Sequence, residues 1–322
     1  RGMMESRPDW CISRQRAWGL PIPAFFTLEG KVFMTPASVR AVSNLIREKG
    51  SDVWFTATPA ELLARYNPAA DPDAAAFMSG PAANFAASLV KGQDILDVWF
   101  ESGSTWNAVI RERFGGAEFP TDLYLEGSDQ HRGWFQSSML TSLGATGKPP
   151  YRTLLTHGFM VDKDGHKMSK SLGNTLEVED LLKDYGADVC RWWVASLSYE
   201  NDIKIDKSFF DVAGESYRKV RNTLRFMLSN LDDFSPDTNQ ALGAPAPTSL
   251  DAWVLSEYNR VAAAVTAAFT AYDFQTAQKS LYDFCNDTLS ATYLAAIKDR
   301  LYCDKADAPR RRRTQATLWS LT

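Results

Sequence analysis

Two lysines that stand three residues apart, Lys167 and Lys170, mark the segment whose residue types are best suited to chemistry. They lie in the segment 166–174, which reads His-Lys-Met-Ser-Lys-Ser-Leu-Gly-Asn. Two mobile ammonium groups can grip one small anion, and the small residues around them let the backbone approach a ligand closely. An apolar stretch at 159–161 predicts a strand, and Asp-Gly at 164–165 predicts a tight turn. A cationic loop of this kind suits a reaction in which negative charge builds on a departing phosphate group.

A second candidate site lies upstream, in the segment 122–135 with the sequence Asp-Leu-Tyr-Leu-Glu-Gly-Ser-Asp-Gln-His-Arg-Gly-Trp-Phe. We predict a short buried strand at 123–126, then a helix over 128–143 with Ser128 as its N-cap. A strand that runs into a helix N-terminus is where doubly wound sheets bind nucleotides. Trp134 by itself is as well explained as an anchor of the hydrophobic core. The candidate site residues of this segment are Glu126, Gly127, Asp129, Gln130 and Trp134.

Together, the two segments resemble the isoleucyl-tRNA synthetases of the bacterial type, a family within the class I aminoacyl-tRNA synthetases. Lys-Met-Ser-Lys-Ser is similar to the KMSKS signature of the class, and the piece at 126–134 resembles the isoleucyl family in particular. The valyl and leucyl families, which share the first signature, are the nearest alternatives. The resemblance covers most of the chain and is weakest between about residues 27 and 91. Three further stretches agree with it: 7–19, 97–106 and 216–223.

The resemblance implies an α/β fold class. We expect a partial Rossmann-type class I synthetase catalytic domain with a small α+β insertion, followed by an α-helical bundle. The predicted domains are a return strand into the catalytic domain (1–23), a small connective insertion (24–96), the second half of the nucleotide-binding fold (97–160), the KMSKS loop and stem-contact region (161–206), and a truncated helical anticodon-binding domain (207–322).

Hydrophobic periodicity places the elements that must position these residues. In the first half it predicts extended strands at 12–19, 95–101 and 153–159, a hairpin at 25–33, a helix at 37–48, and a loop or irregular helix at 67–76. In the second half it predicts helices at 178–185, 188–196, 212–231, 249–271 and 274–301, with a linker at 236–248. The run of four arginines at 310–313 is read as the start of a solvated helix rather than as a phosphate contact.

The resemblance also implies a function, which is the ATP-dependent activation of isoleucine to isoleucyl-adenylate and its transfer to tRNA(Ile). ATP would arrive with Mg²⁺. Lys167 and Lys170 would be the catalytic residues that grip the departing phosphates. ATP and the adenylate would be bound by Glu126, Gly127, Asp129, His157 and Lys170.

Two further groups of residues receive roles from the same resemblance. Gln130 and Trp134 would form the amino-acid pocket. Arg218, Arg221 and Arg225 would contact tRNA, since their spacing puts them on one face of a predicted helix.

Net charge, cysteine spacing and hydropathy argue against several other classes of protein. The net charge is −4, so bulk charge does not indicate nucleic-acid binding. The four cysteines lack C-x-x-C spacing, which argues against a zinc site and for free thiols in a reducing compartment. The sequence has no apolar run long enough for a membrane helix and no signal peptide. We therefore expect a cytoplasmic protein. The sequence does not determine its oligomeric state, for which we expect a monomer.

The three histidines, His131, His157 and His166, do not form the His-x-Gly-His motif that class I synthetases carry. We therefore expect an internal fragment that lacks the half of the fold with this motif and the editing domain. Such a fragment would be inactive alone. The alternatives are a valyl- or leucyl-tRNA synthetase fragment, and a non-catalytic, synthetase-derived module that binds RNA or nucleotide.

Overall fold

The computed structural model describes residues 5–6, 8–78, 80–237 and 242–322, apart from the side chain of Lys170. The predicted linker at 236–248 therefore lies partly outside the described residues. Contacts between residues divide the chain into two compact units, Arg1–Leu155 and Thr156–Thr322.

The first unit contains a small α+β region built around a three-stranded antiparallel sheet. Phe25–Phe26 is the central strand, between Val32–Phe33 and Val90–Lys91. The helix Pro36–Lys49 follows, as predicted, and Thr35 caps it by accepting the N–H of Ser38 at 3.1 Å. The predicted irregular stretch at 67–76 forms two 3₁₀ turns, Pro68–Ala70 and Pro72–Phe77. Three short helices complete the region: Val53–Thr56, Pro59–Leu62 and Ala82–Phe85.

This region has its own hydrophobic core, which explains why so short a sheet is stable. Phe25 packs against Trp54 with ring centroids 5.2 Å apart, and Phe33 packs edge-on against Phe85 at 5.0 Å. The Trp54 indole N–H donates to the carbonyl of Gly92 at 3.2 Å, so its polar atom is satisfied although the residue is buried. The hairpin and the helix that hydrophobic spacing predicted here are thus confirmed.

Two extended strands predicted for the first unit are much shorter than expected. Of the predicted stretches 12–19 and 95–101, only Ser13–Arg14 and Ile95–Leu96 form strands, and these two pair with each other antiparallel. The predicted strand at 95–101 is wrong beyond Leu96, because Asp97 starts the helix Val98–Gly103 by accepting the Trp99 N–H at 2.7 Å. A short apolar run fits a strand or a helix equally well, and here the capping carboxylate decides.

The rest of the first unit leads to the candidate site. The strand Thr121–Gly127 lies beside Tyr151–His157 in a two-stranded sheet. The 3₁₀ turn Ser128–Arg132 follows, and then the helix Trp134–Thr146. Residues 106–111 form a π-helical turn.

The second unit begins with a parallel strand pair, Met160–Val161 with Ile203–Lys204. The sequence analysis predicted the first strand but not the second. The connection contains the predicted helices, Val178–Tyr185 and Ala187–Ala195. The segments that lead into these strands come so close that a Cβ on Gly158 would overlap the backbone of Asn201.

A helical bundle completes the second unit. Lys207–Ser229 and Leu250–Thr270 confirm two predicted helices, with shifted ends, and Phe274–Asp283 begins where the third was predicted but ends much earlier. The prediction of one continuous helix over 274–301 is wrong, because residues 284–293 form a π-helical segment. Phe284 and Leu289 are both buried, and their spacing of five residues fits the wider π turn rather than the α period. The final helices are Leu294–Ala296, Lys298–Tyr302 and Pro309–Leu321.

The four arginines at 310–313 do begin a helix, Pro309–Leu321, as predicted, but only Arg310 is exposed to solvent, so the prediction of a solvated start is wrong for the other three. Arg311 and Arg312 both pair with Asp233, and their side chains are only 16% and 19% exposed. Hydrogen bonding from Arg311 is the main cause that lowers the pKa of Asp233 to about 2. Arg310 pairs with Asp304, and Arg313 donates to a backbone carbonyl at 3.0 Å. The run therefore holds the last helix against neighbouring segments of the bundle.

Within the described ranges, no helix has both the length and the hydrophobicity that crossing a membrane requires.

A buried polar network joins three segments of the bundle. The Tyr293 hydroxyl donates to Asp251 Oδ1 at 2.6 Å, and Arg300 donates to Asp251 Oδ2 at 3.0 Å. Asp251 is 4% exposed and Tyr293 is 0% exposed. A buried carboxylate needs such donors, because water cannot replace them.

Removing the Tyr293 hydroxyl should therefore destabilise the bundle. We expect Tyr293→Phe to lower the free energy of unfolding by about 1–2 kcal/mol, because Asp251 loses one of its buried donors. The matched control is Tyr302→Phe, since Tyr302 is 63% exposed; its effect should stay within about 0.5 kcal/mol. Urea denaturation followed by circular dichroism measures both. Equal stability of the two variants would contradict the importance of this network.

Candidate functional site

The segment 166–174, hereafter the KMSKS segment, continues a tight hairpin. Asp162 N–H donates to the His166 carbonyl at 2.9 Å, and Gly165 N–H donates to the Asp162 carbonyl at 2.9 Å. Val161 and Lys167 form an antiparallel bridge. The turn predicted at 164–165 is thus confirmed. The bridge fixes the backbone of Lys167 and leaves its side chain exposed.

The Asp162 carboxylate organises the turn. Its Oδ1 accepts the backbone N–H of Asp164 at 3.0 Å and that of His166 at 2.8 Å, and its Oδ2 accepts Nδ2 of Asn174 at 2.8 Å. These hydrogen bonds, with that from Asn174 the largest contribution, hold the pKa of Asp162 below its usual value. Asp162 therefore stays a carboxylate at neutral pH.

The Asn174 amide closes the segment from its other end. Its Oδ1 accepts the Ser169 N–H at 2.9 Å, and its Nδ2 also lies 3.3 Å from the Lys167 carbonyl. Ser169 Oγ accepts the N–H of Leu172 at 3.3 Å, which caps the short 3₁₀ turn Lys170–Leu172. Backbone on both sides of Met168 is thus tied to one side chain, while Met168 itself packs against the hydrophobic core of the second unit.

Of the two predicted lysines, the side chain of Lys170 lies outside the described part of the structure. His157, the last residue of its strand, is half-buried, and its Nδ1 lies 2.8 Å from the carbonyl oxygen of Gly158. Because a carbonyl only accepts, the proton of a neutral ring sits on Nδ1 and leaves Nε2 as an acceptor.

In the first unit, the strand-to-helix junction differs from the predicted one. The helix does not begin at Ser128, because a 3₁₀ turn ends at Gly133 and the α-helix starts at Trp134. Ser128 does not cap it. Gln130 takes that role, since its Oε1 accepts the N–H of Trp134 at 2.9 Å. Gly133 makes room for this contact, because a Cβ there would lie 2.6 Å from Gln130 Oε1. Gln130 and Trp134 therefore do not share the face of one continuous helix.

The remaining residues of the junction have distinct environments. Glu126 and Asp129 are exposed, whereas Gly127 is buried at the end of its strand. Glu126 Oε2 accepts the N–H of Gly127 at 3.2 Å, and Asp129 Oδ2 accepts Nε2 of Gln130 at 3.3 Å. The junction thus brings two exposed carboxylates and one carboxamide to a single strand end.

Trp134 is anchored on two sides. Its ring stacks on Tyr124 with centroids 4.1 Å apart and planes 6° apart. Its indole N–H donates to the Ser102 carbonyl at 3.0 Å and contacts Thr105 Oγ1 at 3.2 Å. Trp134 is half-buried, so the packing role that sequence reasoning weighed is real, and part of the residue is exposed to solvent.

Sequence reasoning missed a cavity of about 410 Å³ in the first unit, beside the helix Val98–Gly103. Buried Asp97 lies in its wall, where Arg14 pairs with it. The only sequence signal was that these residues fall in stretches that support the family resemblance. Its polar and aromatic lining residues are Arg14, Arg16, Trp18, Asp97, Trp99 and Glu101.

The three arginines of the predicted stripe lie on the helix Lys207–Ser229 and are exposed. Among the described residues, no carboxylate lies within 4.0 Å of them, so they differ from Arg310, Arg311 and Arg312, which are paired with carboxylates. Arg221 and Arg225 line a shallow groove of about 520 Å³, whose apolar walls include Val220, Leu224 and Leu228.

Comparison with known proteins identifies the family. The family model described as "tRNA synthetases class I (I, L, M and V)" matches residues 1–206, and that described as "Anticodon-binding domain of tRNA ligase" matches 251–322. The chain belongs to the class I tRNA synthetases. This membership confirms the predicted fold class, an α/β synthetase catalytic region followed by a helical region.

Individual synthetases agree with this assignment. The chain is 43% identical to an isoleucine–tRNA ligase of Desulforudis audaxviator (strain MP104C), with 100% of the chain and 34% of the relative covered. It is 45% identical to an isoleucine–tRNA ligase of Geobacillus thermodenitrificans (strain NG80-2), with 98% and 33% covered. The chain thus spans about a third of the length of these curated relatives.

Solved synthetase structures share the fold. The ternary complex of Agrobacterium radiobacter K84 agnB2 LeuRS-tRNA-LeuAMS has a TM-score of 0.61 at 19% identity, covering 97% of this chain and 40% of that one. Mycobacterium tuberculosis methionyl-tRNA synthetase in complex with methionyl-adenylate has a TM-score of 0.52 at 20% identity, covering 71% and 45%. Both are similar to this chain in fold.

The close contact between the helices Val98–Gly103 and Trp134–Thr146 allows a test of stability. A Cβ on Gly103 would lie 2.8 Å from the backbone carbon of Ser137 on the facing helix, so Gly103→Ala must push the helices apart. We expect a loss of about 1–3 kcal/mol, as for other overpacked cores. The matched control is Gly144→Ala on that facing helix, where no atom lies within 4 Å of the new Cβ; it should be neutral or stabilise by up to about 1 kcal/mol. Urea denaturation followed by tryptophan fluorescence compares them, and equal effects would contradict the close crossing.

Proposed function

We propose that the protein that contains this chain activates isoleucine with ATP and transfers the product to tRNA(Ile). The carboxylate of isoleucine attacks the α-phosphorus of ATP, the bond to pyrophosphate breaks, and isoleucyl-adenylate forms. The observation that carries this proposal is the hydrogen-bonded KMSKS hairpin in a class I tRNA synthetase. Isoleucine is favoured because the isoleucine–tRNA ligases compared match nearly the whole chain at 41–45% identity.

Lys167 and Lys170 are proposed to neutralise charge on the departing pyrophosphate. Phosphoryl chemistry of this kind needs positioning and charge stabilisation more than covalent catalysis. The hairpin supports this role, because it fixes the backbone of Lys167 while the side chain of Lys167 remains exposed.

The strand ends are proposed to bind ATP and the adenylate. Glu126 and Asp129 are exposed carboxylates that can accept ribose or amine protons, and Gly127 allows close approach of the ligand. His157 offers Nε2 as an acceptor near the adenine. Mg²⁺ is proposed to enter with the phosphates of ATP, because it is usually bound through substrate phosphates with few protein ligands.

The described residues provide one group that could hold a cation, Asp162, Asp164 and His166, with ligand atoms within 4.8 Å of one another. Asp162 already accepts three N–H donors there, so the group does not fit a Mg²⁺ site well, and we do not assign the ion to it.

The amino-acid pocket is proposed to contain Gln130 and Trp134. One lone pair of Gln130 Oε1 is used by the Trp134 N–H, and the other remains for the ammonium group of isoleucine. The exposed part of Trp134 offers an apolar wall. Pyrophosphate exchange with isoleucine, valine and leucine in the full-length protein tests this specificity, and preference for valine or leucine would replace the isoleucyl assignment.

The stripe Arg218, Arg221 and Arg225 is proposed to contact tRNA phosphates. Its exposure and the match to an anticodon-binding domain further along the chain support the proposal. We also propose a monomer in the cytoplasm; the free thiols of all four cysteines agree with a reducing compartment.

Loss of the Lys170 ammonium group should slow the chemical step more than it weakens binding. We expect Lys170→Ala to raise the barrier to adenylate formation by about 2–4 kcal/mol, because the charge it meets grows only as pyrophosphate leaves. Lys170→Arg should rescue only partly, since a planar fork cannot replace a compact ammonium group. Single-turnover rates in the full-length protein, with isoleucine affinity measured separately, decide the matter. The matched control is Lys163→Ala in the same hairpin, and a normal rate for Lys170→Ala would reject the role.

Removing the arginine stripe should weaken tRNA binding and make it less sensitive to salt. We expect the triple change of Arg218, Arg221 and Arg225 to Gln to reduce the slope of log K against log salt by roughly 2–3, with adenylate formation unchanged. The control removes the same charge from Arg191, Arg260 and Lys279, which are exposed and paired with neighbouring carboxylates. If both triple variants have the same affinity and salt slope, the stripe is ordinary solvated surface.

A further inference from the structure

Asp162 and Asn174 stand at opposite ends of the KMSKS hairpin and are joined side chain to side chain. The connecting hydrogen bond is 2.8 Å long, and each partner also binds backbone within the hairpin. Asp162 accepts the backbone N–H groups of Asp164 and of His166, the first residue of the segment. Asn174 binds backbone farther along, at Lys167 and Ser169. We call this pair the clasp.

The clasp ties the backbone at Lys167 and at Ser169, the residue before Lys170. Without Asn174, the Ser169 N–H loses its protein acceptor and the Lys167 carbonyl loses a nearby donor. Met168 lies between these two points and packs against the hydrophobic core of the second unit. The segment is therefore held by polar contacts at the turn and by an apolar contact at its centre.

We propose that Asp162 and Asn174 are positioning residues, which hold the KMSKS backbone in one arrangement so that the lysine ammonium groups start from a fixed base. This role rests on the proposed function, because it concerns the adenylate-forming step. The lowered pKa of Asp162 agrees with it, since an ionised Asp162 accepts from all three of its donors. A misplacement of about 1 Å can cost roughly 100-fold in rate, so a loosened base has a measurable consequence.

In this pair Asn174 is the hydrogen-bond donor and Asp162 is the acceptor, and mutation can exchange these roles. Asp162→Asn sets an amide donor against the Asn174 amide or against backbone N–H groups. Asn174→Asp sets two carboxylates against each other. The double variant, Asp162→Asn with Asn174→Asp, again has a donor facing an acceptor, and its new carboxylate can still accept the Ser169 N–H.

The test uses the full-length protein and these three variants. Each single variant should lower the single-turnover rate of adenylate formation by about 10–100-fold, with ATP and isoleucine affinities changed less than about 3-fold. The double variant should recover at least half of the loss on a logarithmic scale. Asp164→Asn, an exposed acid in the same turn, should leave the rate unchanged.

Hydrogen–deuterium exchange over 166–172 provides a readout independent of catalysis, and thermal unfolding checks that the variants fold. The single variants should exchange faster, and the double variant should return toward the unmodified protein. Unchanged exchange in both single variants would overturn the clasp. Faster exchange with normal rates would overturn its positioning role. A normal rate of adenylate formation for Lys170→Ala, by contrast, would reject the proposed function and with it any positioning role in that reaction. The exchange measurements would still show whether Asp162 and Asn174 hold the backbone of the segment.

Discussion

The Asp162 carboxylate is the acceptor on which the shape of the KMSKS segment depends. A loop with the proposed role of binding an anion through lysines cannot be held by an apolar core alone, because the side chains that would bind the anion have to face water. Polar contacts from one ionised side chain solve this problem locally. Asp162 binds the backbone of the turn, and Asn174, which is bound to Asp162, binds the backbone at Lys167 and Ser169. Met168 packs against the hydrophobic core of the second unit. The remainder of the second unit supplies the platform for this arrangement.

The same device recurs in the first unit. Asp97 ends a strand and starts a helix by accepting a backbone N–H, and Gln130 starts the helix at Trp134 in the same way. In both cases a side chain replaces the hydrogen bond that regular structure would have provided. The candidate binding residues collect at these breaks, because a break exposes strand ends and leaves side chains free of a helix face.

In the described part of the second unit, the arginines fall into two groups, those that bind other residues of the chain and those that face solvent without a carboxylate partner. The arginines at 310–313 are used within the bundle, and Arg300 is used in the buried network around Asp251. The cations that face outward on the helix Lys207–Ser229 are a different set. In a chain with a net charge of −4, the proposed contact with tRNA phosphates would depend on such local placement rather than on total charge.

The sequence by itself determined the family, the helices with strong apolar periodicity, and the turn before the KMSKS segment. Short motifs and Asp-Gly turns act through neighbouring residues, so they can be read in order along the chain. Only the tertiary structure decided that the apolar run after Ile95 becomes a helix and that Gln130 rather than Ser128 caps its helix. The tertiary structure likewise decided that Arg311 and Arg312 pair with Asp233 instead of facing solvent. It also decided that Asn174 meets Asp162 and that residues 284–293 widen to seat Tyr293 beside Asp251. Periodicity reports which face of an element is apolar, but the partner of a polar side chain depends on which distant backbone arrives beside it.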